Sequence, residues 1–154
     1  EQFQGAMEVF NNNDSIQVVS TQAANWDSNK AFEITTTVLQ QHPDLCATYG
    51  AWGTMQQGAA RAVKAAGLQG KVKVYASSDG NWADCDMVEQ GLFEKIFTYR
   101  TDVQGELITN AVLTLLQNGD KPGTKNLAYI SNSFWVTGKQ DRHYCFEKTA
   151  IENK

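Results

Sequence analysis

The chain has 154 residues, 42% of them hydrophobic, and a formal net charge of −4. That length suits one domain able to bury a core. It holds no apolar run of about eighteen residues that could cross a membrane. Nor does it gather Lys and Arg into the kind of patch that tracks phosphates, so nucleic acid is not an expected partner.

Phe3, Met7 and Phe10 repeat at helical spacing until Asn11-Asn12-Asn13-Asp14 breaks the helix. Ile16 to Ser20 reads as a short strand. Asp27 or Ser28 caps the next helix, whose apolar face is Ala31, Ile34, Thr35, Val38 and Leu39, with Pro43 beyond its end. Leu45 to Tyr49 is a second strand, with Cys46 buried in it. Met55, Ala59, Ala62, Val63 and Ala66 mark a third helix that Gly67 terminates. Val72 to Ala76 is a third strand, Ala83 to Gln90 a short helix, and Phe93 to Tyr99 a fourth strand. Thr101 and Gln104 make a capping-box pattern before a helix with Ile108, Ala111, Val112, Leu115 and Leu116 on one face; Gly119 and Pro122 close it. Beyond Lys125, Leu127–Ile130 and Phe134–Thr137 are strand-like, and Asp141 to Thr149 is weakly helical.

Strands alternating with helices predict an α/β fold. The expected form is a three-layer αβα arrangement around a mainly parallel sheet of at least four parallel strands, buried on both faces. No signal peptide is visible; Glu1 in place of Met suggests a processed or partial chain, from which a signal peptide could have been removed or left out.

Ligands of open parallel sheets bind beyond the carboxyl ends of the strands. The segments there are Ala24-Asn25-Trp26-Asp27, Gly50-Ala51-Trp52-Gly53, Ser77-Ser78-Asp79-Gly80-Asn81-Trp82 and Tyr99-Arg100. Three tryptophans and a tyrosine thus occupy equivalent loops. Flat aromatic faces stack on the C–H side of a sugar ring, while a carboxylate accepts from its hydroxyls. Trp26, Trp52, Asp79 and Tyr99 are the candidate ligand-binding set, with Trp82 the weakest addition. Catalysis is not expected. His42 sits at a helix end, and His143 with Asp141 and Cys145 shares no helical face. No phosphate loop, metal-ligand spacing or cofactor motif is present. Cys85 and Cys145 could pair in an oxidising compartment.

The same residues carry a family resemblance. Phe3-Gln4-x-Ala6, Ala24-Asn25-Trp26-Asp27, His42-Pro43-Asp44, Gly58-Ala59-Ala60-Arg61-Ala62, Ala66-Gly67, Asp79-Gly80, Gly91, Asp102 and Gly105 stand in matching order and spacing from Glu1 to about Gly119. The chain resembles the C-terminal lobe of periplasmic sugar-binding proteins of ABC transporters, of the ribose-binding type. Effector domains of lactose-repressor-type regulators share that fold and are the alternative. The resemblance implies two lobes closing on a small ligand, a membrane permease as partner and an extracytoplasmic location. It also implies that the helix of residues 102–118 crosses to the N-terminal lobe, so that the lobe alone tends to self-associate. In ribose binders the position of Trp26 is an aromatic covering the sugar, and that of Asp79 an aspartate taking its hydroxyls. Trp52 and Tyr99 replace the family's Asn and Gln, and Ser78 an aromatic, so the ribose set is broken. A modified sugar, polyol, aromatic compound or small amine is expected instead.

Overall fold

The structure, a computed structural model, describes residues 2–99, 101–121, 123–124 and 132–146. In chain order these form α1 (Gln2–Asn11), α2 (Ser28–Gln41), β1 (Ala47–Gly50), α3 (Gly53–Ala65), β2 (Lys73–Ser78), α4 (Trp82–Glu89), β3 (Lys95–Tyr99), α5 (Thr101–Gln117), β4 (Ser133–Val136) and a short 3₁₀ helix (Lys139–Tyr144). Asp27 caps α2 by accepting from the backbone N–H groups of Asn29 and Lys30, which relieves two of the helix's unpaired donors. Gly67, in the left-handed region at φ +71°, turns the chain out of α3.

The sheet order is β1-β2-β3-β4. β1, β2 and β3 are parallel, and β4 runs antiparallel to β3. The fold is therefore the expected α/β type with a mainly parallel sheet, but it has three parallel strands rather than four. The reason lies in the connection. Ser133 pairs with Tyr99 and Val136 with Ile96, so the chain returns from α5 at the same end of β3 that it left.

Pairing register sorts the side chains. Val74, Ala76, Ile96 and Val136 fall on one face and join Ala60, Val63, Cys85, Val88 and Phe93 in the core beneath α3 and α4. Tyr49, Phe97 and Trp135 fall on the other, at 39%, 38% and 55% exposure. Burial on both faces is thus only partial: Phe10 of α1 meets Tyr49 edge-on, while Phe97 and Trp135 lean on each other. α2 packs across α3 at very short range, because a Cβ at Gly58 would overlap the backbone carbonyl of Ser28.

Ile16–Ser20 forms no strand. A strand exists through its partner's hydrogen bonds, and this apolar segment bridges to nothing among the described residues while β1 stands at the sheet edge. Cys46 is exposed rather than buried, since it precedes β1 at that edge. Leu127–Ile130, Arg100 and residues 147–149 lie outside the described residues. α5 buries none of its side chains; Ile108, Val112, Leu113 and Leu116 are exposed. A disulfide joins Cys85 of α4 to Cys145, just after the 3₁₀ helix. Beside it, Arg142 pairs with Asp86 at 2.6 Å and Glu89 at 3.0 Å and lies over the Trp82 ring.

Candidate functional site

Three of the four expected residues leave the carboxyl ends of adjacent parallel strands, about 4.8 Å apart. Trp52 follows β1 as the N-cap of α3, Asp79 follows β2, and Tyr99 ends β3. Trp26 arrives differently. No strand precedes it; it sits in the turn before α2, with Asn25 at φ +52° and Trp26 at +63°. Two successive non-glycine residues in the left-handed region are uncommon, and such strain concentrates at binding sites.

The four side chains meet. Trp26 and Trp52 pack edge to face at 5.5 Å between ring centroids. The Trp52 indole Nε1–H donates to Asp79 Oδ2 at 3.3 Å. The Tyr99 hydroxyl donates to Asp79 Oδ1 in a short hydrogen bond. Each carboxylate oxygen thus takes one donor, and a carboxylate has about four lone-pair sites, so Asp79 keeps acceptor capacity for further hydroxyls. Hydrogen bonding to Asp79, followed by desolvation, pushes the Tyr99 phenol up to about 12 from its ordinary 10.0, so it stays a donor at neutral pH. Trp26 is 69% exposed. The arrangement is an open wall of aromatic area with one acid at its centre.

Asp79 does not cap α4. Asn81 does that, accepting from the Asp84 backbone N–H, which leaves the Asp79 carboxylate for other work. Trp82 does not join the group, since the Arg142 guanidinium covers its ring at 3.6 Å. Of the histidines, His42 caps the end of α2 and His143 lies tilted against the Tyr144 ring.

Reading the sequence missed Asp84. It is fully buried, and Gln57, Ser78 and Asn81 all donate to its carboxylate. Burial pushes its carboxyl up from the usual range while those three hydrogen bonds pull it down. The available signal was the N-cap spacing Asn81-x-x-Asp84: Asn81 Oδ1 accepts from the Asp84 backbone N–H, and the Asn81 side-chain amide donates to the Asp84 carboxylate.

Comparison with known proteins comes to the same fold. Residues 1–121 match the family described as periplasmic binding protein domain. The D-allose-binding periplasmic protein of Escherichia coli (strain K12) is 44% identical over 87 residues, which is 56% of this chain and 28% of that protein. The D-ribose/D-allose-binding protein of Pseudomonas aeruginosa is 41% identical over 59 residues, 38% of this chain and 18% of that protein. An ABC transporter periplasmic solute-binding protein from Actinobacillus succinogenes, solved with bound D-allose, superposes with a TM-score of 0.79 at 27% identity, covering 92% of this chain and 48% of that one. A solute-binding protein from Agrobacterium vitis with bound D-fucose gives 0.77 at 25%, covering 91% and 46%. The chain therefore spans about half the length of the solved proteins it matches. These relatives are described as periplasmic or solute-binding proteins.

Proposed function

The chain belongs to the periplasmic binding protein domain family, and from that premise we propose that it is one lobe of the solute-binding component of an ABC importer, taking a sugar or related polyol between two lobes. The observation that carries this reading is that Trp52 and Tyr99 both donate to Asp79 at the carboxyl end of the parallel sheet, with Trp26 packed against Trp52. The tryptophans supply stacking area for the C–H face of a ring, and Asp79 anchors a hydroxyl. The ligand is held and released, not transformed, and no cofactor takes part. Proteins of similar sequence are named for D-allose and D-ribose, so an aldose is the first class to try. The rest of the reading follows the family. The N-terminal lobe supplies the opposite wall, the helix of residues 102–118 crosses to it, closure is a hinge motion, a membrane permease receives the sugar, and the protein works in the periplasm.

Calorimetry on the whole protein tests this, with D-allose, D-ribose and D-fucose as probes. A hydrogen bond to a charged acceptor is worth on the order of 1.5–3 kcal/mol, so Asp79→Ala should weaken binding about tenfold to more than a hundredfold. Trp26→Ala should also weaken it. Unchanged affinity in both variants would return the tryptophans to a purely local packing role.

A further inference from the structure

Asp84 lies in the first turn of α4, five residues beyond Asp79, at 0% exposure. An ionised carboxylate so placed is expensive unless hydrogen bonds replace its water. Here they do, and each comes from a different segment. Gln57 Nε2–H of α3 donates to Oδ1 at 2.7 Å. Ser78 Oγ–H, at the end of β2, donates to Oδ2 at 2.7 Å, as does Asn81 Nδ2–H. Ser78 Oγ in turn accepts the Gly80 backbone N–H at 3.0 Å, so the chain is gripped on both sides of Asp79. The carboxylate also presses on the start of α3. A Cβ at Gly53 would overlap it, and Gly53 directly follows Trp52.

One charge therefore fastens both loops that carry the candidate site. The Trp52–Asp79 hydrogen bond joins those loops from the ligand side, and Asp84 joins them from the core side. A well-packed apolar side chain would be no worse for stability than a buried charge, and often better. What the carboxylate adds is geometry, since it takes three donors in fixed directions. Binding sites lose affinity steeply when a contact group moves by about 1 Å.

We propose that Asp84 is a positioning residue of the ligand site, holding the Trp52 and Asp79 loops at the separation the ligand requires. This rests on the site assigned above. It predicts that Asp84 changes affinity without ever touching ligand.

The test uses the whole protein with D-allose as probe, measuring Kd and thermal midpoint together. Asp84→Asn keeps the shape but turns an NH₂ group toward donors, and should weaken binding about tenfold or more in protein that still melts cooperatively. Ser78→Ala cuts only the link between Asp84 and Gly80, and should weaken it several-fold; it decides the matter if Asp84→Asn fails to fold. Gly53→Asp combined with Asp84→Ala grows a carboxylate into the same space from the other side. It should recover affinity relative to Asp84→Ala alone, which a side chain that only fills space would not do. If Asp84→Asn and Ser78→Ala bind within about twofold of wild type while Asp79→Ala binds poorly, the site stands and the proposal is overturned. A paired variant as weak as Asp84→Ala overturns it too. If Asp79→Ala itself binds normally, the site is wrong and the proposal falls with it.

Discussion

Removing the Cys85–Cys145 bond, by reduction or by Cys145→Ser, should cost more stability than any single surface contact in this chain. The bond closes a loop with a sequence separation of 60 residues. In the chain-entropy description such a closure withholds about 14 cal/mol/K from the unfolded chain, or about 4 kcal/mol at room temperature. The neighbouring contacts cannot replace it. Arg142 bridges the same junction through Asp86 and Glu89, but partly exposed ion pairs contribute about 0–1 kcal/mol. Cys85 also belongs to the core, so a serine there would add the cost of a buried hydroxyl; Cys145→Ser is the cleaner variant. Proteins of this size shift by about 2–4 °C per kcal/mol, which puts the expected fall in melting midpoint near 10 °C. The assay is urea unfolding followed by tryptophan fluorescence, with and without reductant. Cys145→Ser should match the reduced wild type and should not respond to reductant. A loss under about 1 kcal/mol would refute the loop-closure reasoning and would mean that the 3₁₀ segment holds its place without the bond.

Two further outcomes are expected. The Tyr99 phenol, raised from 10.0 to about 12, gives stabilisation that is fully present below pH 10 and lost as pH rises toward 12. In tyrosinate absorbance, the difference between wild type and Tyr99→Phe should show one tyrosine ionising late; a midpoint near 10 would mean that the bond to Asp79 is not formed. The lobe on its own should self-associate through α5, where Ile108 is 65% and Leu116 71% exposed. Covering a few hundred Å² of apolar surface is worth several kcal/mol at about 25 cal/mol per Å². Light scattering should find Leu116→Asp more monomeric than wild type, and a strict wild-type monomer at high concentration would count against the idea.

What the sequence alone determined was local. Helical periodicity placed α2 and α3, the Asp27-Ser28 pair announced the cap that Asp27 makes, and Gly67 the turn, because each depends on neighbours a few residues away. It also brought Trp52, Asp79 and Tyr99 to one edge, since strand ends in a parallel sheet are neighbours whatever fills the core. Tertiary structure decided the rest. Ile16–Ser20 has good strand composition, yet a strand needs a partner and this segment has none among the described residues. β4 looked like any other strand, and only the return of the chain to the end of β3 made it antiparallel. Trp26 reaches Trp52 through a left-handed turn that no periodicity reveals. Asp84, whose burial no pattern in the sequence singles out, is the buried junction of α3, β2 and α4, because its donors Ser78 and Gln57 lie 6 and 27 positions away and meet only once the sheet is assembled.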